Sequence, residues 1–147
     1  MQEWLIEDED LSLERKSLLP GRGFFLPDEI EAERRDAEVE ARATGADVLV
    51  VADPDADGLA CVAIIEEVMG DAALIPAGPH ELAQGIERAA AYGEPGADVF
   101  ICDLSPDDPA RLAGALSELL DHAGSVRWFD HHQWTKAAET AIREHGV

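Results

Sequence analysis

The sequence predicts an α/β fold, namely a doubly wound, mostly parallel β-sheet with helices on both faces. Four short runs rich in β-branched residues are each followed by a segment of helical pattern, which is the order expected of a parallel sheet. The runs are almost continuously apolar, as strands buried on both faces require. Crossovers between parallel strands of this kind are right-handed, which favours a doubly wound sheet.

The predicted elements alternate from residue 48 onwards. The strands are VLVVAD (48–53), ALIPAG (73–78), DVFICD (98–103) and SVRWFD (125–130). The helices span residues 58–69, 80–92, 107–122 and 134–145.

Two further segments precede the first predicted strand. Residues 27–43 are rich in good helix formers, with Pro27 at the start and Gly45 just beyond the end, and they predict a polar, exposed helix. Residues 1–26 have scattered apolar positions and a Pro-Gly-Arg-Gly stretch, which is typical of an irregular arm. We therefore predict an N-terminal arm and polar helix over 1–44 and an α/β domain over 45–147.

The chain is strongly acidic, with 32 acidic and 11 basic residues and a formal net charge of -21. At ordinary salt such a surface repels phosphate backbones. Nine of the basic residues are Arg, and this composition is typical of a salt-loving cytoplasm such as that of a halophilic archaeon. Multimolar salt screens the repulsion, so a nucleic-acid substrate is compatible with the charge. An acidic protein of a low-salt cell with a small-molecule substrate is the alternative.

Neither a membrane span nor a secretory signal is predicted. The sequence has no apolar run of about 18 residues, and its N-terminus lacks a basic start followed by an apolar stretch. We expect a cytoplasmic protein. Cys61 and Cys102 each lie in apolar segments without the close spacing of a zinc or redox motif, and both are interpreted as buried thiols.

Acidic residues and histidines follow three of the four predicted strands. The first strand leads into Asp53-Pro54-Asp55-Ala56-Asp57-Gly58, the third ends at Asp103, and the fourth ends at Asp130-His131-His132. The second ends in Ala77-Gly78-Pro79-His80 and supplies no carboxylate, although His80 is a candidate substrate contact. In parallel sheets ligands bind beyond the carboxyl ends of the strands. Carboxylates gathered there need a neutralising cation, which predicts a metal centre.

Each cluster has an ordinary structural alternative. The Asp-x-Asp-x-Asp-Gly string resembles the start of a calcium loop, but position 64 is Ile where that loop requires Glu. Asp103 is also a possible helix N-cap, and the two histidines are compatible with an unremarkable strand end. A nucleotide-binding domain is a further possibility, although no Gly-x-Gly-x-x-Gly loop follows the first strand.

The strings DPDADG, ICD and FDHH, in this order on a parallel sheet, resemble the first three motifs of the DHH phosphoesterase family. That family includes RecJ-type single-strand exonucleases, phosphodiesterases of short oligonucleotides and cyclic dinucleotides, and manganese-dependent pyrophosphatases. The resemblance covers about residues 45–135. It implies that Asp55 ligates a first metal ion, Asp57 a second, and that Asp103 bridges them. His131 would complete the second site, and Asp53 would lie near the first.

The resemblance also implies roles for the other two residues of the third motif. Asp130 would orient His131 through a ring N-H, and His132 would contact the phosphate. The mixed carboxylate and imidazole set favours Mn²⁺, with Mg²⁺, Co²⁺ or Zn²⁺ as alternatives, and two ions are expected in the complete protein.

The function implied is hydrolysis of phosphodiester bonds in single-stranded or short nucleic acid by metal-activated water. The family's fourth motif, a further aspartate, and its C-terminal substrate-binding domain are not present in the sequence, so we expect a truncated chain with a weak first metal site. Two alternatives stay open. One is a small-molecule phosphatase or pyrophosphatase, and the other is a non-catalytic relative that scaffolds replication or repair proteins.

Overall fold

A four-stranded, all-parallel β-sheet organises the part of the chain that the structure describes. The structure is a computed structural model that describes residues 27–106 and 108–147. The chain divides into two units, Met1–Ala37 and Glu38–Val147, and the sheet belongs to the second. The predicted α/β class and parallel sheet are confirmed, while the predicted arm over 1–26 lies outside the described residues.

Helices and strands alternate as the sequence predicts. In chain order the elements are α1 (Pro27–Ala43), β1 (Val48–Ala52), α2 (Ala56–Met69), β2 (Ala73–Pro76), α3 (Leu82–Tyr92), β3 (Asp98–Cys102), α4 (Pro109–His122), β4 (Ser125–Phe129) and α5 (Lys136–Glu144). Each strand begins at its predicted residue. Strands β1, β3 and β4 end directly before an aspartate, and β2 ends at Pro76. Among these described helices, none combines the length and the apolar character needed to cross a bilayer.

The helix ends follow from short-range side-chain chemistry. Helix α4 begins at Pro109, and the side chain of its N-cap residue Asp108 accepts a hydrogen bond from the backbone N-H of Arg111 at 3.2 Å. Helix α5 begins after Thr135, whose hydroxyl accepts from the N-H of Ala138 at 3.1 Å. These caps fix where each helix leaves the loop that follows a strand, and therefore where the loop residues lie.

The strand order in the sheet is β2-β1-β3-β4. The chain runs from β1 outwards to β2, returns past β1 to β3 and continues to β4. The direction of winding therefore changes between the neighbours β1 and β3. In parallel α/β sheets a ligand crevice forms beyond the carboxyl ends of the strands at such a reversal.

Apolar side chains of the central strands divide between two buried clusters. Alternate residues of β1, such as Leu49 and Val51, pack in a large cluster with side chains of α3, α4 and α5. The intervening residues, such as Val50, pack in a smaller cluster with Phe100, Cys102 and Ile65 of α2. Burial of β1 along its whole length explains why its sequence reads as a continuous apolar run.

Candidate metal centre

The register of the sheet places three strand-terminal aspartates at one edge. Ala52, the last residue of β1, pairs with Cys102 of β3, and Cys102 pairs with Phe129 of β4. Each of these residues is followed directly by an aspartate, namely Asp53, Asp103 and Asp130. The strands end level with one another, so the predicted convergence of the three acidic positions follows from the observed pairing.

Asp103 is held in a tight turn directly after β3. Its φ angle is +57°, in the left-handed region that Asp and Asn tolerate better than other side chains with a Cβ. Its backbone N-H donates to the carbonyl of Phe129 at 2.9 Å, and the indole N-H of Trp128 donates to the carbonyl of Leu104 at 2.8 Å. Two bonds from the β4 strand therefore fix the turn on both sides of the Asp103 side chain.

The Asp103 carboxylate has an unsatisfied oxygen. The side chain is 8% exposed, and among the described residues nothing forms a hydrogen bond to Oδ1. His131 Nε2 lies 3.0 Å from this oxygen, but the approach lacks the angle of a hydrogen bond. Buried polar atoms are almost always paired, and an orphaned one calls for a water molecule or an ion. Two metal-ligating atoms this close together form a pair that a shared cation would stabilise.

His132 adds a third donor to this pair. One donor atom each from Asp103, His131 and His132 lies within 4.8 Å of the other two, and in the described part of the chain this is the group of three or more such side chains that could hold a metal ion. His131 and His132 are both exposed, and their rings stack at a tilt with centroids 4.4 Å apart. We call Asp103, His131 and His132 the metal triplet.

Asp130 is the buried anchor beneath the metal triplet. Its side chain is 1% exposed and accepts three hydrogen bonds, from the His132 N-H at 3.3 Å, from His132 Nδ1 at 2.5 Å and from Trp134 Nε1 at 2.6 Å. Burial alone would raise the pKa of Asp130, but the bonds from Trp134 and His132 outweigh it and lower the pKa below its usual value. Protein hydrogen-bond donors therefore replace water around the Asp130 carboxylate and keep it ionised.

The pairing of Asp130 corrects one expectation. The family resemblance implies that Asp130 orients His131, whereas the hydrogen bonds run to His132. The reason is local geometry. Asp130 Oδ1 accepts from the backbone N-H of His132, two residues later, and the ring of His132 bonds to the same oxygen. His131 instead places Nε2 3.0 Å from Asp103 Oδ1.

The loop after β1 is shaped by a close backbone approach. A Cβ atom at Gly58 would lie 1.9 Å from the carbonyl oxygen of Asp53, so only glycine fits at this point of the DPDADG string. Asp55 is the N-cap of α2, and its Oδ1 accepts from the N-H groups of Asp57 at 3.1 Å and Gly58 at 3.0 Å. Asp55 and Asp57 are both exposed and lie outside the metal triplet.

Asp53 lies in a field of negative charge. Partial burial, followed by the charges of Asp55, Asp103 and Glu81, raises the pKa of Asp53 above its usual value. The charge of Asp103 reaches Asp53 across the β1 and β3 strand ends, which links the first acidic cluster to the metal triplet. A cation at this edge would relieve the repulsion.

Glu81 is a carboxylate that the sequence reasoning missed, because it considered only the residues that end the second strand. Glu81 lies one residue further, at the start of α3, and its Oε2 accepts from the N-H of Gly78 at 3.1 Å. This turn brings its charge back towards Asp53. The available signal was its place just before a helix that follows a strand end.

A cleft of about 190 Å³ lies beside these loops. Its walls come from the residues that follow β2 and β3 and from the first turns of α3 and α4, and they comprise Pro79, His80, Leu82, Ala83, Ser105, Asp108, Arg111 and Leu112. His80, the predicted substrate contact, is in this wall. Arg111 gives the cleft a fixed positive charge, and Asp108 gives it a negative one.

Comparison of the chain with protein-family models, with curated proteins and with solved structures finds no match. The chemical interpretation of the site therefore depends on the geometry of the side chains.

Proposed function

We propose that this chain carries the metal centre of a divalent-metal-dependent phosphoesterase of the DHH type, acting on phosphodiester bonds in single-stranded or short nucleic acid. The observation that carries the proposal is the Asp103 oxygen Oδ1, which is buried, has no hydrogen-bond partner among the described residues and lies 3.0 Å from His131 Nε2. The proposal includes a doubly wound sheet, which the reversal of strand order between β1 and β3 supports.

The metal triplet contains the residues that would hold the ion. One carboxylate and two imidazoles suit Mn²⁺, with Mg²⁺, Co²⁺ and Zn²⁺ as alternatives. A bound divalent ion supplies an activated water and neutralises the oxygens of a phosphate ester. Asp103 would bind through the oxygen that lacks a partner, and Asp130 would keep the ring of His132 in place through its hydrogen bond.

Asp53, Asp55 and Asp57 enter the proposal as the surroundings of a second ion. The charge of Asp103 contributes to the raised pKa of Asp53. Asp55 already uses one carboxylate oxygen to cap α2, which leaves its other oxygen for a ligand. Asp53, Asp55 and Asp57 are therefore less well arranged to bind a metal ion than the metal triplet is.

A small phosphorylated molecule is a second candidate substrate, and the size of the cleft favours it. About 190 Å³ accommodates a phosphate group or a small ring but not a long strand, and Arg111 offers a charge for an anionic group. The net charge of -21 also opposes long polyanions unless the salt concentration is high. A phosphatase or pyrophosphatase is therefore the alternative activity.

Metal-dependent hydrolysis in high salt tests the proposal. The purified chain should bind Mn²⁺ in titration calorimetry and release nucleotides from single-stranded DNA, RNA or dinucleotides, whereas release of phosphate from pyrophosphate would select the second candidate. Asp103→Asn should lose both metal binding and hydrolysis. Asp121→Asn is the control, because it removes the same charge from an exposed position in the last turn of α4. This variant should keep both metal binding and hydrolysis.

Three results separate the alternatives. Mn²⁺ binding without hydrolysis of any ester would favour a non-catalytic scaffold. Equal metal affinity in the wild type and Asp103→Asn would remove the metal triplet as the binding site. Absence of Mn²⁺ binding altogether would contradict the proposal.

A further inference from the structure

Two tryptophans lie under the metal triplet. The indole N-H of Trp134, in the loop between β4 and α5, donates to Asp130 Oδ2 at 2.6 Å. The ring of Trp134 packs edge-on against that of Trp128, with centroids 5.1 Å apart and planes inclined by 71°. Trp128 is fixed in turn, since it lies in β4 and its own N-H donates to the carbonyl of Leu104. The position of the Trp134 N-H is therefore set by the sheet.

Asp130 connects the fixed N-H of Trp134 to the ring of His132. Its Oδ2 receives the bond from Trp134 and its Oδ1 receives the bond from His132 Nδ1 at 2.5 Å, so the two oxygens are used by different partners. The side chain is 1% exposed, and water therefore does not compete for either oxygen. A carboxylate can only accept, so the hydrogen must be on Nδ1 of His132. In the neutral ring the lone pair is then on Nε2.

We propose that Trp134 is a positioning residue for the metal triplet, and that through Asp130 it fixes both the ring orientation and the tautomer of His132. The use of that ring for a metal ion or a phosphate rests on the proposed function, whereas the coupling itself concerns only this chain's hydrogen bonds. Without the indole N-H, Asp130 Oδ2 has lost its partner in a buried place, and the carboxylate must rotate or admit water. Either change weakens its hold on His132 Nδ1.

A purely structural role for Trp134, as an anchor of the loop by ring packing, predicts something different. Trp134→Phe and Trp128→Phe each remove one indole N-H and each disturb the same edge-on ring contact. Only the first removes a bond to Asp130, because the second removes a bond to a backbone carbonyl beside Asp103. The two variants are therefore matched in packing and differ in their connection to His132.

The deciding measurement is heteronuclear NMR of the imidazole nitrogens in the full chain, with EDTA present and with His132→Ala used to assign the signals. In the wild type and in Trp128→Phe, the His132 ring should carry its hydrogen on Nδ1. In Trp134→Phe it should become a mixture of tautomers. An unchanged His132 ring in Trp134→Phe, or an equal change in both variants, would overturn the proposal.

Metal affinity provides a second readout. Loss of a residue that orients a ligand weakens metal binding by about 10- to 100-fold, so Trp134→Phe should reduce the affinity for Mn²⁺ by at least about tenfold. Failure of the wild type to bind Mn²⁺ would count against the proposed function, while the NMR result in EDTA would still decide the coupling. Should Trp134→Phe fail to fold, exchange of the Trp134 indole N-H in the wild type decides, because exchange as fast as that of free indole contradicts a bond to buried Asp130.

Discussion

Replacement of Asp103 by Asn should stabilise the metal-free protein and abolish its stabilisation by metal. In the structure the Asp103 side chain is 8% exposed, and Oδ1 has no hydrogen-bond partner among the described residues. An unsatisfied buried polar atom costs about 1–3 kcal/mol. Asn has nearly the same shape but carries no charge, so burying it without a partner costs less free energy than burying a carboxylate. It also suits the left-handed backbone at φ +57°.

The expected gain without metal is about 1–2 kcal/mol, at the lower end of that range because the carboxylate keeps some contact with water. For a chain of this size this corresponds to an increase in Tm of about 3–6 °C. Mn²⁺ at a hundred times its Kd stabilises a binding-competent protein by about 2.7 kcal/mol. The wild type should therefore gain about 8 °C from Mn²⁺, and Asp103→Asn should gain nothing.

Thermal unfolding followed by circular dichroism in EDTA and in MnCl₂, at one fixed salt concentration, measures both effects. Asp103→Ala is the matched control, because it also removes the charge but lacks the short polar side chain that lets Asp and Asn tolerate the left-handed conformation, which costs other residues about 1–2 kcal/mol. We therefore expect no net gain for Ala. The reasoning is refuted if Asp103→Asn is less stable than the wild type in EDTA, or if Mn²⁺ stabilises the two proteins equally.

Three further predictions concern the residues around this site. Gly58→Ala places a Cβ 1.9 Å from a backbone carbonyl oxygen and should lower the free energy of unfolding by about 1–3 kcal/mol in urea denaturation, whereas Gly114→Ala, in open space on α4, should not lower it. Burial, with the nearby Cys61 thiol, raises the pKa of Cys102 to about 12, so iodoacetamide at pH 8.5 should modify the partly buried Cys61 at least tenfold faster; equal rates in peptide mass spectrometry would contradict this. The pKa of Asp130 is lowered in the folded protein from its usual 3.8, so the unfolded chain binds more protons in acid, and stability is lost as the pH falls below about 4 and through the folded pKa. Asp130→Asn should show a shallower loss in urea denaturation between pH 2.5 and 5, and identical slopes would count against the assigned hydrogen bonds.

The convergence of the acidic strand ends could be predicted from the sequence for a simple physical reason. Strands buried on both faces are continuously apolar, so the first charged residue after each run marks the carboxyl end of the strand. Asp53 and Asp103 are such residues, whereas Asp130 follows the partly buried edge strand β4, which itself contains Arg127. The observed register brings all three aspartates to one edge. The parallel order follows from the helices between the strands.

Side-chain pairing could not be predicted in the same way. His131 and His132 are adjacent, and only the rotamers decide which ring turns towards Asp130 and which towards Asp103. Glu81 reaches Asp53 through a loop turn that the strand and helix patterns do not specify. The N-cap role of Asp55 was available from the sequence, since an aspartate directly before a helical segment is a common cap.

The two sides of the site differ in how firmly hydrogen bonds hold the side chains that would bind a metal ion. On the β3 and β4 side, the Asp103 turn is fixed by a backbone bond to Phe129. The His132 ring is fixed by Asp130, which takes its second bond from Trp134. On the β1 side, the Asp55 carboxylate already stabilises the start of α2, and the charges of Asp55, Asp103 and Glu81 that act on Asp53 are negative. A ligand set that is rigid before binding loses less conformational entropy when a metal arrives. We therefore expect Mn²⁺ to fill the metal triplet first, and any second ion near Asp53 to bind more weakly because one oxygen of Asp55 is already used by the helix cap.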